Sequence, residues 1–536
     1  MKHNIILLLT AALGASAVSC TDLDTPLESQ YSEYPINEIT VDARLADVYF
    51  HMRGIFGRRY MEASSLSADE YTAVSYGSDY YDNGIYARAT FHDMLYNDAT
   101  IDWYGDVVSG ITKANKEITL LLGGNDSPGA ASARAVRAYF HFILMDCWGD
   151  APILTIYDPD ADIDYTRKPR AEVARFIEKE LLESLEDLPT KISEENYGKP
   201  TRWMAEALLA KLYINWPVYT AASVDQYDAA TAKNEKLADC IKVCDDIINS
   251  GLFNLGTGTF ADYAQKFGPN NNWKCEDFIY VMPYDSYTAA GMQWGRAKTW
   301  KNLKGVNPNF YGTSFSQSCG GYTVLSPDFA ELFNLDGDVR NDLILNGKVY
   351  NRDPETLKPT AVEAMDKDGN PIVLTREITL VNENDETLNI GSKSYNVGNR
   401  SIKFFIGSEY NNGRNQNNDV PLLRYADVLL MKAEAIVRGG GSGDAKGLFN
   451  QIREYAKAPL LESTPTLDDI YDERGREFLD ENWRRNDMIR FGHYEDEYFP
   501  HQKSFAAANF DPRHRIWPIP EGIFKTNPNW QQNPGY

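Results

Sequence analysis

The sequence predicts a mainly α-helical scaffold that carries a long irregular insertion. Apolar residues recur at helical spacing through four segments of the first half and again near the C-terminus. Glycine and proline turn signals separate those segments. Between residues 253 and 420 the period fades, while Asn, Gly, Tyr and Trp accumulate.

Ahead of the scaffold, Lys2 and His3 give a polar start and Ile5 to Leu13 form an apolar run. That run is too short to span a bilayer, which takes about 20 apolar residues. Small residues Ala17 and Ser19 follow, flanking Val18, immediately before Cys20. This order describes a secretory signal over residues 1–19. The cysteine at the cut reads as a bacterial lipobox in which Cys20 becomes the lipidated first residue. One acyl chain holds a membrane marginally and two or more hold it firmly. No later stretch is both long and free of charge, so residues 20–536 are expected to form a single domain tethered through Cys20 alone.

Ala133, Val136, Phe140, Ile143, Leu144 and Cys147 mark the first of the four helical segments. Val173, Ile177, Leu181, Leu185 and Leu188 mark the second, and Ala205, Leu209, Leu212 and Trp216 the third. Leu237, Ile241, Cys244 and Ile248 mark the fourth. Gly149-Asp150-Ala151-Pro152, Leu188-Pro189 and Gly198-Lys199-Pro200 punctuate them. Antiparallel pairs at this spacing suggest tetratricopeptide-like packing, whose repeat is about 34 residues, although no full repeat consensus is present. Near the C-terminus, Leu422, Ala426, Leu429, Ala433 and Ile436 mark a helix that closes at the glycines of 439–443. The scaffold is thus expected mainly over 95–252 and 420–492, and the loop-rich part mainly over 58–94 and 253–419. Within the latter, Asp368-Gly369-Asn370 before Ile372-Val373-Leu374 predicts a small β-hairpin. Long loops in a compact protein are usually functional.

A net charge of −24 argues against nucleic-acid or anionic-membrane partners, because no basic footprint is available to neutralise phosphates. The 33 Tyr, 23 Phe and 10 Trp make up 12% of the chain, so some are expected at the surface, and exposed aromatics meet flat apolar faces such as those of sugar rings. Beyond Cys20, five cysteines remain, an odd number that makes no complete disulfide framework. Cys240 and Cys244 lie one turn apart on an apolar helix face and read as core residues.

Four stretches carry a resemblance along almost the whole chain. The first joins Ala133-Arg134-Ala135-Val136-Arg137-Ala138-Tyr139-Phe140 to Cys147-Trp148-Gly149-Asp150-Ala151-Pro152. The second runs from Val420-Pro421-Leu422-Leu423-Arg424-Tyr425 to Ala435, and the third from Glu473-Arg474-Gly475-Arg476-Glu477-Phe478 to Gly492. The last runs from Trp517-Pro518-Ile519-Pro520 to Tyr536. Their order after a lipoprotein signal resembles the SusD/RagB family. That resemblance implies tetratricopeptide-like helix pairs supporting an irregular half. It also implies a lipid-anchored protein on the outer face of the outer membrane, which captures oligosaccharide or polysaccharide for a SusC-like TonB-dependent transporter. Some members of the family take peptides instead. Physically, Arg137, Arg424, Arg484 and the Glu473–Glu477 stretch are charges set among apolar helical positions, so they are expected to lock helices together as ion pairs.

Two aromatic clusters lie in the loop-rich part. One holds Tyr71, Tyr76, Tyr80, Tyr81 and Tyr86; the other holds Tyr284, Tyr287, Trp294, Trp300, Phe310 and Tyr311. Sugar recognition needs ring platforms for C–H faces and amide, carboxylate or guanidinium groups for hydroxyls. By placement within the segments where family members build their ligand surface, Asp69, Tyr71, Tyr76, Trp294, Trp300 and Cys319 are the candidate ligand residues.

Catalysis is not expected. Glycoside hydrolysis needs two carboxylates across a cleft, which 77 acidic residues leave open as a lesser alternative. No zinc-protease, Walker, nucleophile-elbow or dinucleotide motif occurs, and no cofactor is implied. His141 sits within a helix, while His493, His501 and His514 are scattered over loops. Asp158, Asp160, Asp162 and Asp164 alternate as in a calcium loop. However, Ile163 stands where that loop needs glycine and Pro169 where it needs glutamate, so no metal is expected. For the anchor, Cys20→Ser is expected to abolish metabolic labelling by palmitate and to release the chain into the soluble fraction.

Overall fold

A computed structural model describes residues 38–74, 81–300, 303–376, 378, 396–498 and 509–536. Its scaffold helices are α1 Tyr104–Leu120, α2 Ala131–Trp148, α3 Arg170–Ser184, α4 Arg202–Ile214, α5 Leu237–Asn249, α6 Tyr425–Val437, α7 Ala445–Ala456, α8 Leu467–Phe478 and α9 Arg484–Phe491. In α2 every side chain from Ala133 to Trp148 is buried, so the helix has no solvent face and must be packed all round. Its neighbours α1 and α3 supply that packing. Each later helix then packs on the one before it: α4 on α3, α5 on α4, α6 on α5 and α7 on α6. The chain leaves α5 for the insertion and returns as α6 against α5, so the two helical blocks read from the sequence form one run. The glycine stop after α6 is present, with Gly439 at φ 90°, a conformation that costs other residues a steric penalty.

The insertion is held to the scaffold by strand Val420–Arg424, which pairs antiparallel with Phe278–Met282 and runs directly into α6. All ten residues of the two strands are buried. The expected hairpin at Asp368 is more elaborate. Asp366 and Asn370 close its turn, and Met365 bridges Pro371. Its arms pair mainly with one continuous stretch over 347–352: Pro359–Glu363 with Tyr350–Arg352, and Val373–Leu374 with Gly347–Lys348. The segment 58–94, read as loop-rich, instead contains helices Arg59–Leu66 and Tyr81–Thr90. The first is buried from Tyr60 to Leu66, with Glu62, Ser64 and Ser65 inside, so it has no solvent face and leaves no helical period in the sequence. The C-terminal stretch straps across the scaffold: Trp517 N–H donates to the Cys147 carbonyl (2.7 Å), and its ring meets Trp148 and Trp103 edge-on.

The charges set among apolar helical positions are paired. Arg137 on α2 donates to Glu180 on α3 (Nε–Oε2 2.9 Å) and to Asn115 on α1 (2.8 Å), joining three helices. On the other side, Arg474 bridges Asp427 and Asp487 (2.8 and 2.9 Å), and Arg490 takes both oxygens of Glu434 (2.8 and 3.0 Å). Arg424 meets Glu481 (2.7 Å), Glu477 (2.9 Å) and Asp277. Removing one partner of such a group leaves uncompensated charge out of water, at a cost of about 3–5 kcal/mol. Arg424→Met is therefore expected to lower stability by roughly that amount. Lys242→Met, which breaks the exposed Lys242–Asp246 pair, is expected to cost less than about 0.5 kcal/mol. Urea denaturation of both variants separates the two cases.

Candidate functional site

The two aromatic segments meet because strand Tyr71–Ala73 pairs antiparallel with Thr323–Leu325. Val74 N–H continues the pairing to the Tyr322 carbonyl (2.9 Å). Beneath this junction lies Asp480, fully buried and with a left-handed backbone (φ 68°). Its Oδ1 accepts from the Tyr71 hydroxyl and the Trp294 indole, each at 2.7 Å. Its Oδ2 accepts from Lys298 (2.6 Å) and Ser401 (2.7 Å). Burial alone raises a carboxyl pKa, but Lys298 and these donors outweigh it and hold Asp480 below its ordinary value. The neighbouring Glu70 goes the other way. It accepts the Asp480 backbone N–H (2.7 Å) and is pushed up to about 8 by burial and by the Asp480 charge, so it is protonated at neutral pH.

This geometry corrects the expected ligand residues. Tyr71 and Trp294 are 0% exposed, and their polar atoms complete the shell of Asp480, so neither ring offers a face to a sugar. Trp300 is 3% exposed and donates its indole N–H to Asn396 (3.1 Å). Cys319, also 3% exposed, lies against Tyr410. Asp69 is half-buried in a two-pronged pair with Arg484, 2.7 Å on each prong, which ties the loop to α9. Tyr76 and Cys20 lie outside the described residues. Among the described members of the second cluster, Tyr287 is the exposed one, at 79%.

Tyr287 is held outward by its own turn. Asp285 Oδ1 accepts the backbone N–H groups of Tyr287 and Thr288 (3.0 and 2.8 Å), and Asp285 and Ala289 exchange backbone bonds. Next to it lies an amide-rich loop over 407–417. Asn412 donates to the Ser286 carbonyl (2.6 Å), and Ser286 N–H donates to Asn417 (2.8 Å). Gln293 reaches Asn415 (3.1 Å), and Arg414 reaches the exposed Ser318 hydroxyl (2.7 Å). The short helix Trp294–Lys298 supplies the last member. Trp294 and Lys298, four apart, share the face that points at Asp480, and Arg296 stands on the opposite, partly exposed face. The result is an open shelf bearing one ring, two guanidiniums and several amides. The sequence marks the segment and Tyr287 within it, but not the other residues of the shelf. The signal for the rest was the Asn-rich run 411–418. Nearby, Gln265, Pro269, Gly312, Leu357 and Ser408 line a cleft of about 570 Å³.

Residues weighed for other chemistry have structural tasks. His141 is buried, with Nδ1 on the Arg137 carbonyl (2.8 Å) and Nε2 accepting the Leu154 N–H (3.2 Å); burial lowers its pKa to about 3. Asp158 and Asp164 accept backbone N–H groups of their own loop (3.0 and 2.8 Å). Among the described residues, no three His, Cys, Asp or Glu side chains gather as metal ligands, and no helix is long and apolar enough to cross a membrane.

One titration follows from the Asp480 centre. Glu70 has an ordinary value of 4.5, so the folded state holds a proton that the unfolded state loses between that pH and about 8. Its contribution to stability therefore falls as pH rises through this window. Glu70→Gln is expected to gain on the parent protein from pH 5 to pH 8 and to be the more stable at pH 8, as read by urea midpoints.

Comparison with known proteins agrees with this architecture. Residues 292–536 match the model of the SusD family, and residues 24–214 match the model described as starch-binding, associating with outer membrane. The starch-binding protein SusD of Bacteroides thetaiotaomicron is 23% identical over 442 residues, covering 76% of this chain and 72% of that protein. A SusD-like protein of Bacteroides ovatus is 25% identical over 526 residues, covering 92% and 83%. The structure of surface glycan-binding protein A from Bacteroides thetaiotaomicron in complex with laminarihexaose superposes with a TM-score of 0.65 at 18% identity, covering 92% of this chain and 99% of that one. With four ordered motifs, the split helical scaffold and these matches in agreement, the chain belongs to the SusD family.

Proposed function

We propose that this protein binds glycan on the outer face of the outer membrane and passes it, uncleaved, to a SusC-like TonB-dependent transporter, with Cys20 as its lipid anchor. The observation that carries the reading is the shelf. Tyr287 offers an exposed ring for a sugar C–H face, and Gln293, Asn415, Arg414 and Arg296 offer hydroxyl partners beside it. The relative that is a starch-binding protein, the neighbour solved with laminarihexaose and the outer-membrane description of one matching model support the same class. An open shelf suits a polymer, which must extend beyond the contact on both sides. One ring contact of about 0.5–1.5 kcal/mol, with a few hydrogen bonds of about 0.5–1.5 kcal/mol each, gives affinity of about 1 mM, weak enough for release to a transporter.

Native gels cast with a panel of polysaccharides, run with the chain starting after Cys20, test the reading. Retardation by at least one glycan is expected, weakened roughly two- to tenfold in Tyr287→Ala, the loss of one such ring contact. A glycan that retards both forms equally places the site elsewhere; retention of peptides alone favours the peptide-capture alternative.

A further inference from the structure

We propose that the shelf takes an anionic glycan, one bearing uronate carboxylates or sulfates, with Arg296 and Arg414 as the groups that meet its charge. This rests on the glycan-binding reading of the same shelf.

The first argument is the local charge. The chain has 77 acidic residues and a net charge of −24, yet no Asp or Glu occurs between Asp285 and Asp328. Glu409 is the one acid of the facing loop over 407–417. Asp285 is committed to the turn that carries Tyr287, and Glu409 Oε1 to the Gly407 N–H (2.9 Å). Among the described residues, these two segments therefore bring to the shelf only carboxylates that are already engaged by backbone N–H groups.

The second argument is the state of the two arginines. Buried arginines elsewhere are committed either to carboxylates, as Arg137 to Glu180, Arg424 to Glu477 and Glu481, and Arg484 to Asp69, or to backbone carbonyls, as Arg170 to Val218 and Arg352 to Asp342 and Leu357. Arg296 and Arg414, also only partly exposed, make no ion pair among the described residues. Arg414 has the Ser318 hydroxyl as its side-chain partner (2.7 Å). Arg296 is tied to the same Ser318 loop, since its carbonyl accepts the N–H groups of Gly320 and Gly321 (2.9 and 3.1 Å), two and three residues beyond Ser318. Both guanidiniums also oppose the burial-driven rise in the pKa of the Tyr410 hydroxyl, so both lie within electrostatic reach of that one group. Arg414 is held there in a left-handed backbone (φ 66°), a conformation that is costly for a residue with a side chain and is found where position matters.

A guanidinium binds carboxylate or sulfate through two parallel N–H donors, which adds geometry as well as charge. Two of them beside a ring platform read a charged sugar better than a neutral one. The net charge of the whole molecule repels polyanions, so retention of one requires local cations within about a Debye length, roughly 8 Å at physiological salt.

The test uses isothermal titration of the chain starting after Cys20 with polygalacturonate, carboxyl-reduced polygalacturonate, dextran sulfate and laminarin. Binding of polygalacturonate or dextran sulfate is expected, and which of them binds distinguishes carboxylate from sulfate. If polygalacturonate is the ligand, carboxyl reduction should weaken it at least tenfold. Arg296→Gln and Arg414→Gln should each weaken the anionic ligand at least fivefold and reduce its salt dependence, with unchanged urea midpoints. If laminarin or the reduced polymer binds as tightly as the anionic ones, and Tyr287→Ala weakens it while the arginine variants do not, the anionic inference fails and the glycan reading stands. If none of the four binds, both fail. Binding of poly-glutamate in place of every glycan overturns both in favour of peptide capture.

Discussion

The fold depends on a cluster of carboxylates taken out of water at the C-terminal end of α8. Glu477 in its last turn and Asp480 and Glu481 just beyond it are all buried. Each must be met by cations and donors or it will not ionise there. The groups that meet them come from everywhere else. Arg424 arrives from the strand that enters α6, Arg340 and Lys403 from the insertion, Lys298 from the short helix below the shelf, and Tyr71 from the N-terminal strand. Burial of these few charges therefore forces the helical and irregular parts into one arrangement. An all-apolar core could be as stable, but it would not select the partners by charge.

The same centre explains why the shelf can be open and still well positioned. The helix Trp294–Lys298 is too short to persist by its own hydrogen bonds. It stands because two of its side chains end on Asp480 and the backbone N–H of Gly295 ends on Gln416 (2.7 Å). Arg296 inherits that rigidity on the opposite face. The amide loop behaves alike, its Asn and Gln side chains bonding to backbone on neighbouring loops and so replacing the ladder that a sheet would provide. Binding groups on loops are in this way placed by buried polar contacts made elsewhere.

Much of this is legible in the sequence, and the rest is hidden for definite reasons. Amphipathic helices such as α5, with Leu237, Cys240, Cys244 and Ile247 buried, announce themselves by period. So do charges at apolar helical positions, which is why Arg137, Arg424 and Arg484 read as ion-pair residues from the sequence alone. The ligand face cannot be read this way. Trp294 and Tyr287 sit in one aromatic segment, yet Trp294 is buried because its indole N–H meets Asp480, 186 positions further on. Nothing within the segment encodes that contact, whereas Tyr287 is exposed by a local Asp285 turn whose form is visible in the sequence. Proximity in sequence locates the surface; long-range polar pairing decides which rings reach it.

That division has a consequence for how such a protein can change its ligand. The groups that hold the architecture, Tyr71, Trp294, Lys298 and Asp480, are buried and mutually dependent, so altering one strands the others without partners. The groups on the shelf, Tyr287, Arg296, Arg414 and Ser318, make one or no side-chain contact with the framework among the described residues. Substitution there changes what the surface recognises at little cost in stability. A buried charge centre that fixes the loops, beneath a thin exposed layer that reads the ligand, lets one scaffold keep its fold while its binding chemistry varies.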